Sequence, residues 1–237
     1  KIWKLFKFKK NKFKLIDKDI NDVNFKSLRD KYDFFIHLAA ITNAAESFKI
    51  KDLINSNNFG GTKKVVDFCK KKNVPLIFPS STSVYGKKFS IINSSNNMNN
   101  LFAQSPYART KIKEEIYIRK NLKKYIILRL GTIVGVSQGM RFHTAVNKFC
   151  WQAVMGQEIS VWETAYDQSR PYLDLFDASK AFEHIIENNM FKNETYNILT
   201  QNANVRNVID VIKNNIPNVI IAFVKNKIIN KLTYEVL

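Results

Sequence analysis

The stretch D-F-F-I-H-L-A-A, residues 33–40, is an almost unbroken apolar run after its leading aspartate. It is too short for a globular helix and does not alternate, which is the pattern of a strand covered on both faces. V-P-L-I-F-P-S (74–80) and Y-I-I-L-R-L (125–130) read the same way. Helix-favouring segments separate these runs. One extends from about residue 44 to 72, with G-G-T at 60–62 where backbones can pack closely. Another opens at Ser105, read as an N-cap with Pro106 at the first helical position, and runs to about residue 123. Upstream, K-F-K-L-I (12–16) reads as a short strand and D-V-N-F-K-S-L-R-D-K-Y (22–32) as a helix. Strand and helix in alternation imply parallel βαβ units and an open, doubly wound α/β sheet.

The Asn- and Ser-rich stretch 87–104 reads as a loop. Beyond residue 135 the pattern is more mixed: a helix at about 143–155, strands at Ile159–Trp162 and 171–175, and Asp177 as the N-cap of the next helix. T-Y-N-I-L (195–199), a helix at 204–214 and N-V-I-I-A-F-V (218–224) follow. This second part is a smaller mixed lobe.

The chain has 237 residues, 45% of them hydrophobic, and a formal charge of +18. That composition belongs to a packed protein and not to a disordered one. The charge admits a nucleic-acid or membrane surface. However, the lysines are spread along the chain and arginine, the usual reader of phosphates and bases, is scarce, so a compositional bias explains the charge and no nucleic-acid partner is expected. Cys69 and Cys150 sit in apolar helical contexts without metal or redox spacing, as expected of buried free thiols in a reducing compartment such as the cytoplasm. The three histidines form no metal pattern. No apolar run approaches the roughly 18 residues of a membrane span, and the basic K-I-W-K-L-F-K-F-K-K start is not followed by a signal-peptide core.

Ligands of open α/β sheets bind at the carboxyl ends of the strands. Ala39 and Ala40, Ser80 to Ser83, and Gly131 with Thr132 fall at such ends, and Tyr107 opens the helix after the long loop. Tyr107 and Lys111, four apart, share a helix face. A phenol near pKa 10 must drop by about 3 units, roughly 4 kcal/mol, to move protons at neutral pH. A nearby ammonium or a cationic nicotinamide ring supplies much of that. Ser81 can bond the same substrate oxygen. The bland alternatives are a solvated Tyr–Lys helix face, Ser80 and Ser81 as turn caps, His37 as a satisfied core histidine, and Arg170 as a surface cation.

The ordered set of motifs resembles the extended short-chain dehydrogenase/reductases, the NAD-dependent epimerase/dehydratase family that works on nucleotide sugars. D-F-F-I-H-L-A-A is similar to the strand beside the cofactor, N-N-F-G-G-T (57–62) to the N-x-x-G-T helix, and F-P-S-S-T-S-V-Y-G (78–86) to the strand bearing the catalytic Ser or Thr. S-P-Y-A-R-T-K (105–111) is similar to Y-x-x-x-K, L-R-L-G-T-I-V-G (128–135) to R-x-x-N-x-x-G, and S-R-P-Y-L-D-L-F-D (169–177) to R-x-Y-x-x-V-x-D.

The resemblance implies Ser81, Tyr107 and Lys111 as catalytic residues. It implies Asp19, Ile20, Leu38, Ala39, Ala40 and Asn57 along the cofactor, with Lys111 on the nicotinamide ribose and Leu130 and Ile133 nearby. For the substrate it implies Ser81, Thr82, Thr132 and Arg170, the last on a diphosphate; G-M-R-F-H-T (139–144), with Arg141, His143 and Thr144, is the expected reader of the sugar. The cofactor is NAD, with NADP not excluded. Residues 1–135 would form an incomplete Rossmann domain and 136–237 mainly a substrate lobe, with a homodimer through the helices near 50–72 and 105–123.

Thr82 and Ser83 stand where the family's 4,6-dehydratases carry Asp-Glu, which disfavours dehydration, and Ser83 replaces the Glu of the decarboxylases. The implied reaction is epimerisation of a nucleotide sugar through a transient ketone. The alternatives are an NAD(P)-dependent keto-sugar reductase and a non-catalytic RNA- or partner-binding protein on the same fold. No glycine fingerprint is present and the first residue is not Met. The family pattern thus implies a chain lacking the opening βαβ, about 50 residues, and some C-terminal sequence. The isolated 237-residue chain is expected to be inactive and to bind NAD poorly; micromolar affinity in an isothermal titration would contradict this.

Overall fold

The computed structural model describes residues 14–86, 91–92, 98, 101–225 and 235–236. Its centre is a four-stranded parallel sheet in the order β1-β2-β4-β8: β1 is Phe35–Ile36, β2 Leu76–Ser81, β4 Tyr125–Leu130 and β8 Glu194–Ile198. The strands alternate faces, as a pleated backbone requires. Leu76, Phe78, Tyr125 and Ile127 point to the side covered by helices α2 (Gly60–Lys72) and α3 (Pro106–Asn121), packing on Val65, Val66, Phe68 and Ile118. Ile77, Ile126, Leu128 and Leu130 point to the other side, onto Ala178 and Ile185 of α5 (Leu175–Glu187). Both faces are therefore dry, and the fold is the expected Rossmann-type α/β sheet.

A second sheet joins β5 (Thr132–Val134), β7 (Arg170–Asp174) and β9 (Gln201–Ala203), with β5 parallel and β9 antiparallel to β7. A third cluster packs α4 (Ala145–Val154) and α6 (Val205–Asn215) on β6 (Ile159–Trp162), which pairs with β10 (Ile221–Val224).

Several expectations are corrected. The strand at 33–40 shrinks to Phe35–Ile36, with His37 N–H still donating to Ile77 O at 3.1 Å. Its phenylalanines are half-buried because β1 is an edge strand of the described sheet. Residues 12 and 13 of the expected first strand lie outside the described residues, and 14–16 are irregular. The helix at 22–32 is only a 3₁₀ turn at Phe25–Ser27. Asn24 Oδ1 accepts from Lys26 N–H and Ser27 Oγ donates to Asn24 O, so local side chains compete with the helix ladder.

The expected helix from 44 to 72 is continuous from Lys51 to Lys72 but contains a π turn, and residues 44–50 lie outside it. A 3₁₀ turn (Glu46–Phe48), a short α1 (Lys51–Ile54) and a π turn (Asn55–Phe59) precede α2. The close packing expected at G-G-T is present: a Cβ on Gly61 would lie 2.9 Å from Ile20 Cγ2. Asp174, not Asp177, caps α5 by accepting from Phe176 N–H at 2.7 Å. Most of the expected 87–104 loop lies outside the described residues, but β3 (Ile91–Ile92) pairs with β11 (Glu235–Val236). Both cysteines are free as expected. Cys69 is buried, which pushes its thiol up to about 12, whereas Cys150 is exposed on α4.

Helix α3 is locked to the sheet by a buried ion pair. Glu115 and Arg129 have fully buried side chains, with Nη2 2.6 Å from Oε2 and Nε 3.0 Å from Oε1. Ser80 Oγ donates to Glu115 Oε1 at 2.6 Å, and Arg129 Nη1 donates to Tyr85 Oη at 3.0 Å. Removing one partner strands the other charge. Glu115→Ala is therefore expected to cost about 3–5 kcal/mol in urea unfolding, and Glu115→Leu with Arg129→Met together to cost less than Glu115→Ala alone; a single-variant loss under about 1 kcal/mol would contradict the lock.

Candidate active site

Helix α3 begins cleanly because its first donors are satisfied. Ser105 Oγ accepts from Ala108 N–H, Pro106 has no N–H to satisfy, and buried Ser47 accepts from Tyr107 N–H. This start sets Tyr107 and Lys111 over the carboxyl end of β2. There they line a cleft of about 580 Å³ together with Ser81, Leu38, Thr132 and Arg141.

Tyr107 is 8% exposed and Lys111 3%. Burial, the largest cause, raises the Tyr107 phenol above its ordinary value. The Lys111 ammonium lowers it, the Glu114 carboxylate raises it, and a hydrogen bond with the Ser81 side chain and the Arg141 charge lower it. The lysine also shifts upward: burial acts against its charge, but Glu114 and Tyr107 outweigh burial. Its Nζ donates to Pro79 O at 3.3 Å, sits 3.2 Å from Glu114 Oε2 and lies over the Phe78 ring at 4.4 Å. Ser81, Tyr107 and Lys111 thus line one cleft, with the phenol bonded to the Ser81 side chain and in the field of the Lys111 ammonium, but the net shift of the phenol is upward and not the lowering expected from the sequence.

His37 is buried behind this group. Its Nε2 is 3.0 Å from Thr62 Oγ1, and Thr62 donates to Glu114 Oε1 at 2.7 Å. Because the threonine proton is committed to the carboxylate, the histidine proton belongs on Nε2 and Nδ1 is left as an acceptor. Burial first, and then the Lys111 charge, push this imidazole down to about 3, so it is neutral at physiological pH.

Of the expected residues, Leu38, Ala40, Leu130 and Ile133 line the cleft, as do Ser81, Thr132, Arg141, His143 and Thr144. Arg141 Nη1 donates to Thr42 Oγ1, also on the rim. Others do not line it. The Thr82 hydroxyl is buried and donates to Leu130 O at 3.3 Å. Arg170, at the start of β7, donates to Gln168 Oε1. Ala39 is exposed outside the cleft.

Asp19, Ile20 and Asn57 cluster apart from the cleft, at the entry to α2. Asp19 Oδ1 accepts from Asn21 N–H, and Asn21 Nδ2 donates to Asn57 Oδ1. The residue built into the frame there is Asn58, 1% exposed, which accepts from Ile41 N–H and donates to Ile41 O. Counting back from Gly61–Thr62, N-x-x-G-T falls on Asn58, so the sequence held this signal and Asn57 is a one-residue misregister. Ser83 lines the cleft as its place at a strand end implies, and His37, Thr42 and Asn147 also line it and were not expected there.

The lining suits a dinucleotide. Leu38 is 67% exposed and Ile133 38%, giving apolar walls, while buried His37 Nδ1 and Ser83 Oγ have no hydrogen-bond partner among the described residues. No group of His, Cys, Asp and Glu among those residues is arranged for a metal ion.

A neutral, buried His37 carries a pH cost. The unfolded chain protonates this residue below about 6.5 while the fold resists protonation to about 3. Its contribution to stability is therefore present above pH 6.5 and is lost as the pH falls toward 3, at about 1.4 kcal/mol per unit. Urea unfolding at pH 7.5 and 5.0 is expected to show a smaller loss for His37→Asn than for the parent; equal losses would contradict it.

Residues 5–198 match the family model described as the NAD dependent epimerase/dehydratase family. A dTDP-D-glucose 4,6-dehydratase of Dictyostelium discoideum is 29% identical over 213 residues, covering 84% of this chain and 48% of the relative. A trifunctional UDP-glucose 4,6-dehydratase/UDP-4-keto-6-deoxy-D-glucose 3,5-epimerase/UDP-4-keto-L-rhamnose-reductase of Arabidopsis thaliana is 27% identical over 239 residues, covering 94% of this chain and 35% of the relative. The chain spans about half the length, or less, of these curated relatives.

Among solved structures, a UDP-glucuronic acid 4-epimerase from Bacillus cereus in complex with UDP-glucuronic acid and NAD superposes with a TM-score of 0.78 at 23% identity, over 89% of this chain and 68% of that one. A dTDP-glucose 4,6-dehydratase from Streptomyces venezuelae with NAD bound gives 0.80 at 17%, over 92% and 69%. These likenesses show a common fold. No helix among the described residues is long and apolar enough to cross a membrane. The family match takes in the parallel strands, the cleft rim and the Tyr107–Lys111 helix together, and on it the chain belongs to the NAD-dependent epimerase/dehydratase family.

Proposed function

We propose that this chain carries the active site of an NAD-dependent nucleotide-sugar epimerase. One observation supports epimerisation over the dehydration named for the curated relatives: no carboxylate lines the cleft among the described residues. Loss of water from a sugar needs a second acid to protonate the departing hydroxyl, and decarboxylation would also need more than this lining offers. Thr82 is turned into the core, and Ser83 is not an acid at this pH. A single acid–base group suffices for reversible oxidation of a carbinol.

The geometry supports the following roles. Ser81 holds the sugar oxygen within reach of the phenol. Tyr107, as phenolate, takes the hydroxyl proton and later returns it. Lys111 stabilises the phenolate and has donor capacity left for ribose hydroxyls. Arg141 supplies a cation for a nucleotide's phosphates from within the cleft, while Thr132, His143 and Thr144 face the sugar. Leu38, Ala40, Leu130 and Ile133 of the cleft wall, with Lys111, would hold NAD, which would supply a hydride acceptor and donor beside the sugar carbon.

In the protein with its whole chain, Tyr107→Phe is expected to lower turnover of a UDP-, GDP- or dTDP-sugar by about 10²–10⁴-fold, read by proton NMR of the two epimers. Retained turnover would refute the role of Tyr107, and a 4-keto-6-deoxy product from the parent enzyme would refute epimerisation.

A further inference from the structure

The lysine that the proposed mechanism relies on does not face its tyrosine alone. Glu114, one helical turn along α3, is 1% exposed and puts Oε2 3.2 Å from Lys111 Nζ. Its other oxygen is held at 2.7 Å by the Thr62 hydroxyl, which is braced in turn by His37 Nε2 at 3.0 Å. Helices α2 and α3 and the residue that follows β1 thus hold one buried carboxylate against one buried ammonium. A buried acid is costly unless its position is used or fully compensated, and here the compensating charge is that of Lys111.

Glu114 is not needed to anchor the helix. That role falls to Glu115, the next residue, whose oxygens are taken by Arg129 and Ser80. Nor does Glu114 line the cleft, so it does not touch a substrate bound there.

We propose that Glu114 is a positioning residue that shares the Lys111 ammonium with the Tyr107 phenol, so that the Thr62–His37 brace behind it sets the pH at which the phenol becomes a base. The inference rests on Tyr107 being the acid–base group. The charged and titratable groups facing this cluster are Tyr107, Lys111, Glu114 and Glu115 of α3, His37 just after β1 and Arg141 of the cleft rim, with Arg129 of β4 engaged by Glu115. His37 is neutral across the working range. The adjustable charge is therefore that of Glu114. With the carboxylate present, the ammonium is partly neutralised and the phenol holds its proton to higher pH, in the direction already seen for Tyr107.

The test reads the phenol itself and needs no sugar. Tyrosinate absorbance is titrated in the full chain, and the trace of the matching Tyr107→Phe protein is subtracted to isolate one phenol among 9 tyrosines. In Glu114→Gln the Tyr107 midpoint is expected to fall by about one pH unit, the scale on which a neighbouring charge acts. In Glu114→Asp, which keeps the charge, most of the parent value should return. A simple packing role would move melting temperature in both variants and leave the midpoint in place. If Glu114→Gln does not fold, Glu114→Met, which removes the carboxylate together with its need for a partner, is read for the same fall. An unmoved midpoint in a folded neutral variant overturns the proposal. Loss of the epimerase reading alone would show instead in turnover, with the titration unchanged.

Discussion

The contact on which the rest of the molecule depends is the pair of Glu115 and Arg129. It lies between α3 and the central sheet with no access to water. Such a pair contributes little net stability over an apolar replacement, because desolvation offsets most of its attraction. Its value is geometric. Two donors of a planar guanidinium meet two oxygens of one carboxylate, and Ser80 and Tyr85 satisfy what remains. A helix that slid or rolled on the sheet would break all of these bonds together. Tyr107 and Lys111 lie eight and four residues before Glu115, on the same side of α3. Fixing Glu115 fixes them.

The underside of α3 holds two buried cations and two buried anions: Lys111 and Arg129, Glu114 and Glu115. Their formal charges cancel. The cancellation lets an ammonium stay protonated in a place where burial alone would discharge it, and it explains why Lys111 is shifted upward. It also means the field at the phenol is a difference between near neighbours. A site built this way is sensitive to charge changes that leave its shape intact.

Local signals carried the three long core runs, the start of α3 and the Tyr107–Lys111 spacing. An N-cap serine before a proline is a short-range device, and continuous apolar runs report a sheet covered on both sides whichever partners cover it. The segment 22–32 misled because its apolar spacing is helical while Asn24 and Ser27 bond their own backbone. Phe25, Leu28 and Tyr32 still pack against the core, so the periodicity was real and the helix was not. The π turn at Asn55–Phe59 was equally invisible. It brings Asn58 onto the Ile41 backbone, a partner 17 residues away.

The sequence by itself determined the class of fold and the family, since these depend on residue types in short motifs that follow one another in order. Only the tertiary structure decided which polar residues face the cleft and which charges meet. Thr82 turns inward and Ser83 outward although they are neighbours, and Glu114 and Glu115 serve different partners although they are adjacent and identical. Adjacent residues point about 100° apart on a helix and to opposite faces of a strand. What each one reaches is set by the packing of elements distant in the chain.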